Sequence, residues 1–94
     1  MGTRVWKYQL ELTERQGLKM PDGAVILSAH TQTDSTGKQN ICIWVAVDSE
    51  APSRQRVIKV AATGEDALLL PLDVFVGTVQ VGPFVFHVFD GGWQ

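Results

Sequence analysis

Residues 41–47, Ile-Cys-Ile-Trp-Val-Ala-Val, form the longest unbroken apolar run in the chain, and they constrain its fold more than any other segment. The run is far short of the roughly 20 residues that a membrane-spanning helix needs. Read as a strand, it places Ile41, Ile43, Val45 and Val47 on one face and Cys42, Trp44 and Ala46 on the other. A strand apolar on both faces belongs in the middle of a sandwich or tight barrel. Trp44 is therefore expected to be almost fully buried, and Cys42 to be an inert core thiol.

The same period of two recurs along the chain. Trp6, Tyr8, Leu10 and Leu12 alternate with Lys7, Gln9 and Glu11, which reads as a strand with one buried face. Leu18 and Met20 form a shorter stretch before Pro21-Asp22-Gly23, a turn sequence in which proline presets φ and Asp and Gly tolerate the turn conformations. Residues 24–31 make the next strand. Residues 32–40 contain no apolar side chain and are expected to be a mobile surface hairpin tip. After a turn at 48–54, residues 56–63 alternate again. The 64–73 stretch has no clear period. A helical turn over 65–70 is conceivable there, and Pro71 would end it. Residues 75–81 and 84–89 form a final hairpin around Gly82-Pro83, and Asp90-Gly91-Gly92 is expected to end regular structure. Six or seven mostly antiparallel strands in 94 residues predict an all-β sandwich or small barrel, a single β domain over 1–94.

The motifs Trp6-Lys7-Tyr8-x-Leu10, Met20-Pro21-x-Gly23-Ala24-x-Ile26-Leu27, Cys42-Ile43-Trp44-x-x-Val47-Asp48 and Phe86-His87-Val88-Phe89 come in a set order. Thr63-Gly64 and Val76-Gly77-Thr78-Val79-Gln80 lie between the last two. In that order the chain resembles a family of short phage- and prophage-encoded proteins carried as a domain of unknown function. Two loops depart from the pattern, the long 32–40 segment and Ser49-Glu50 where a proline-containing turn is expected. The resemblance implies an accessory role in the cytoplasm of a bacterial host, and it brings no catalytic residues with it.

Eight Lys and Arg against ten Asp and Glu leave a net charge of −2, which excludes the basic footprint that duplex nucleic acid requires. No apolar stretch suggests a membrane span or an N-terminal signal segment. His30 and His87, the only histidines, would need a third ligand such as Asp34 or Asp90 to hold a metal; structural placement is the better reading, so no metal site and no cofactor are expected. Thr36-Gly37-Lys38 imitates the end of a phosphate loop, but Gln32 stands where the first glycine belongs, and Gln39 where Ser or Thr belongs. The serines lack a nucleophile elbow. No enzyme activity is expected.

Candidate binding residues remain. Asp34 and Lys38 sit at the polar tip. Trp93, after two glycines, is either a plug or an external anchor. Arg54 and Arg56 are the best local candidates for an anion, since two guanidinium groups near one loop match the geometry of phosphate or carboxylate. These features predict a non-catalytic binding protein that docks on a host protein through a sheet edge or the long 32–40 hairpin, for example in counter-defence. Two alternatives stay open: an oligomer that sequesters a small ligand such as a phosphorylated nucleotide, and a virion or assembly component whose partner is itself.

Overall fold

In the computed structural model, which describes residues 2–94, the alternation resolves into seven strands. They are β1 (Thr3–Gln9), β2 (Arg15–Pro21), β3 (Val25–Thr33), β4 (Gln39–Asp48), β5 (Ser53–Ala62), β6 (Val74–Val81) and β7 (Phe84–Trp93). Every pairing is antiparallel, and no helix occurs among the described residues. The strands form two sheets, β1-β4-β3 and β2-β5-β7-β6. This is the expected all-β fold, in its sandwich form.

Alternation on the two facing surfaces builds the core. Ile41, Ile43, Val45 and Val47 of β4 point inward and pack with Ile58 and Val60 of β5, Val79 of β6 and Val88 of β7, with Met20 and Leu10 closing the ends. Ile43, Val45, Ile58 and Val88 are completely buried, each contributing about 1.5–3 kcal/mol relative to an exposed side chain. The turns obey local chemistry. Gly23 (φ 82) occupies the position of the 21–24 turn that needs positive φ, and the Ala24 N–H donates to the Pro21 carbonyl at 3.2 Å; proline thus sits one place earlier than expected. Gly82 (φ 57) opens the two-residue β6–β7 hairpin, whose favoured turns demand positive φ at that place.

Several expectations are corrected. The strand 41–47 is central in its sheet, but none of the described residues covers the sheet's outer surface over Trp44. That side chain is only half-buried, with the His30 ring edge-on at 5.8 Å, whereas Cys42 is buried as expected. Trp6 remains 38% exposed, and Leu12 lies beyond the end of β1 and is exposed. The polar 32–40 segment is in part ladder: Gln32 pairs with Asn40 and Thr33 with Gln39, which leaves 34–38 as the loop. Polar side chains did not prevent pairing, because both faces of that end of the hairpin are wet. Strand β7 runs through Asp90-Gly91-Gly92 to Trp93 by means of a bulge opposite Val57 and Ile58. A Cβ on Gly91 would lie 2.8 Å from the Val57 side chain, so glycine here continues the strand rather than ending it.

Candidate functional site

Strand β5 carries Arg54, Arg56 and Lys59, and each meets an aspartate from a distant segment. Arg56 and Arg54 stand on one face, two residues apart. The bulged end of β7 brings Trp93 opposite Arg56, with its ring 4.3 Å from the Arg56 guanidinium carbon and 4.9 Å from that of Arg54. Three of the five residues singled out in the sequence therefore converge on one spot. Trp93 is the plug of the two readings, half-buried and packed against the core cluster.

The guanidinium of Arg56 is committed within the fold. Its Nε donates to Asp90 Oδ1 at 2.9 Å, Nη2 to Asp90 Oδ2 at 2.6 Å and Nη1 to the Ala24 carbonyl at 2.8 Å. Burial pushes the Asp90 carboxyl up, but the Arg56 hydrogen bonds and the Gly92 N–H outweigh it and hold the group below the usual carboxylate range. Arg54 is more open: its Nη1 pairs with Asp22 at 3.0 Å, both side chains being 45% exposed. A bidentate pair and two stacked cations make this a structural clasp between the 21–24 turn, β5 and β7.

Asp34 is likewise turned inward on its own loop. Oδ1 accepts from the Thr36 N–H at 2.9 Å, from the Thr36 hydroxyl and from the Lys38 N–H at 3.1 Å, while Oδ2 accepts from Asn40 Nδ2 at 3.1 Å. The Thr36 hydroxyl, Asn40 and the two backbone donors draw its carboxyl down to about 2. The tip is a built turn, with Lys38 exposed beside it. The arginine cluster and the tip are separate features of the fold.

His87 sits half-buried, with Nε2 2.7 Å from the Thr63 hydroxyl and Nδ1 3.0 Å from the Thr78 hydroxyl. Both ring nitrogens are thereby occupied, each by a hydroxyl. No group of three metal-ligating side chains occurs among the described residues.

The surface least anticipated is the loop between β5 and β6 together with the first two residues of β6. Leu68, Leu69, Leu70, Leu72, Val74 and Phe75 are 40–90% exposed, Leu72 the most. The loop lies over the outer face of the four-stranded sheet and is fastened from beneath. Lys59 Nζ donates to the Leu68 carbonyl at 2.9 Å and to Asp73 Oδ2 at 2.7 Å, with both side chains less than a tenth exposed. Asp73 also accepts the Leu70 N–H at 2.7 Å, and its own N–H returns to the Leu70 carbonyl. The Lys59 ammonium, then that backbone donor, lower the Asp73 carboxyl. Near the root of the loop, Glu65 and Asp66 line a cleft of about 340 Å³ together with Glu14, Leu12, Val60 and Phe86.

Residues 1–93 match a family model described as a domain of unknown function, DUF7352. The chain belongs to the DUF7352 family. No curated protein and no solved structure matches it. In this DUF7352 chain the leucine loop carried a signal that strand-reading passes over. Four leucines in five residues fit no strand period, and no Lys or Arg occurs anywhere in 60–94. An apolar run without periodicity, bounded by acids and interrupted by Pro71, is a loop whose side chains have no sheet face to enter.

Proposed function

We propose that the chain is a non-catalytic binding protein that docks on another protein through the 68–75 segment, the leucine loop and the start of β6. The observation that carries this reading is the held exposure of its six large apolar side chains. A folded monomer rarely exposes a contiguous apolar patch beyond a few hundred Å², and larger ones mark interaction sites. The buried Lys59–Asp73 pair fixes the loop in that position, which lowers the ordering cost of binding. Carboxylates at Glu65 and Asp66, in a segment without a compensating cation, favour an apolar partner segment bearing Lys or Arg. The phage resemblance supplies the setting: an accessory protein in the bacterial cytoplasm whose partner is a host protein.

A small-ligand reading draws less support, because Arg56 already gives three donors to internal acceptors. Leu70→Ser with Leu72→Ser is the deciding variant, since both side chains are exposed and the fold should survive. Binding is measured by calorimetry against an amphipathic Leu/Lys peptide and its Leu/Glu counterpart. The intact protein should bind the basic peptide alone, and the variant neither. Equal binding by the variant, or preference for the acidic peptide, refutes the docking role of the loop.

A further inference from the structure

A second surface, independent of the leucine loop, is the free edge of β1. A two-sheet sandwich has four edges, and here they are not equivalent. Strands β3 and β6 lie side by side, the Thr31 hydroxyl donating to the Gln80 carbonyl at 2.6 Å and Gly77 lying against Ala29, so these two edges shield each other. Strand β2 contains Gly17 and ends on Pro21, features that blunt an edge for pairing. Strand β1, Thr-Arg-Val-Trp-Lys-Tyr-Gln, has neither glycine nor proline and is exposed at every position except the half-buried Tyr8. It pairs with β4 along one side over its whole length. Half of its N–H and carbonyl groups therefore point away from the sheet, a ready template for another strand.

We propose that this edge pairs with β1 of a second copy, antiparallel about Trp6, joining two three-stranded sheets into one of six strands. Charge sets the register. A two-fold axis through an edge strand sets one residue opposite its own copy. Centred on Trp6, all seven residues find a partner: Thr3 faces Gln9, Arg4 faces Tyr8, Val5 faces Lys7 and Trp6 faces Trp6. Each cation then lies opposite an aromatic or apolar side chain, never opposite another cation. Centring on Lys7 or on Arg4 sets like charges directly against each other, which destabilises a strand pair; centring on Val5 drops Tyr8 and Gln9 from the pairing within β1. The chosen register also covers Val5, 58% exposed, and Trp6, 38% exposed. An interface of this kind is isologous and closes at two copies.

The test is light scattering and sedimentation of the intact chain over a range of concentrations, with three variants. The parent should be a dimer that dissociates on dilution. Val5→Lys sets a new ammonium group against Lys7 in both halves of the strand pair and should give a monomer with the parent's melting behaviour. Adding Lys7→Glu converts both contacts to opposite charges and should restore the dimer. Trp6→Cys brings facing residues within the Cα separation that a disulfide spans, so oxidation should yield a covalent dimer even if the charge variants fold poorly. A parent that stays monomeric at the highest concentration, a dimeric Val5→Lys protein, or failure of the cysteine pair to cross-link overturns the proposal. None of these outcomes bears on the leucine loop.

Discussion

Removing the carboxylate of Asp90 tests whether the arginine–tryptophan cluster holds the sandwich together. Arg56 is 8% exposed. Asp90→Ala leaves its guanidinium to the Ala24 carbonyl, in a place that water reaches poorly. Breaking a buried ion pair from one side typically costs about 3–5 kcal/mol, chiefly the penalty of the orphaned charge. A domain of this size has roughly 5–15 kcal/mol in total, so the variant should fold marginally. Its melting temperature should fall by roughly 12–40 °C, taking about 4–8 °C per kcal/mol at this length. Arg56→Met should cost a similar amount by orphaning Asp90. The double variant Arg56→Met/Asp90→Asn should cost far less than the two single changes added together. It leaves no buried charge at this site, and the new side-chain amide oxygen can still accept the Gly92 N–H. Urea titration followed by tryptophan emission is the assay, since Trp93 lies on the Arg56 guanidinium. If each single change costs under about 1 kcal/mol and the two add, the pair behaves as a surface salt bridge and the clasp is not structural.

Other predictions concern separate features. Asp34, Asp73 and Asp90 all have folded pKa values below their ordinary ones, Asp34 at about 2; such groups stabilise the fold above their unfolded value near 4 and lose that contribution as pH falls through the folded value. Urea midpoints should therefore hold above about pH 5 and drop between about 4 and 2, and a flat profile to about pH 2 would contradict the hydrogen bonding described. Asp73→Asn should free the leucine loop while leaving the sandwich folded, seen as faster amide exchange at Leu70 with the β5 and β7 amides still protected; unchanged exchange at Leu70 would show that the clasp is idle. Ile43→Ala should destabilise by about 2–5 kcal/mol and Trp44→Ala by less, although tryptophan is larger, because Ile43 is fully buried and Trp44 faces outward. The reverse order in thermal melts would place the core on the wrong side of β4.

Much of the fold was legible because strands record burial with a period of two. The runs read at 41–47, 75–81 and 84–89 lie within strands β4, β6 and β7, and Ile43 is buried as the pattern of its strand implies. What periodicity cannot show is whether a second layer covers a given face. Trp44 looked like core because its strand is apolar on both sides, yet the topology leaves its face open. The candidate site was legible by residue type alone: Arg54, Arg56 and Trp93 were each picked out. Their convergence depends on a bulge at Gly91 and on Asp90, 34 residues beyond Arg56, a separation no local pattern encodes. The leucine loop was missed for a complementary reason. Local rules read apolar residues as buried, and the buried Lys59–Asp73 pair, which holds this aperiodic loop in place, joins residues 14 positions apart.

The strand orders of the two sheets have a consequence for the chain as it is made. Sheet β1-β4-β3 has all its members once residue 48 exists, whereas β5 and β6 are neighbours-but-one, and the strand between them, β7, is the last of the seven. A nascent chain stopped before residue 84 has Ile41, Ile43, Val45 and Val47 on a sheet with no completed opposite layer, and Arg56 without Asp90. The four-stranded sheet of this molecule is thus completed only by its last strand. Until β7 enters, the early strands form a surface that chaperones or aggregation will claim. The time taken to synthesise residues 49–83, which separate β4 from β7, sets how long that exposure lasts.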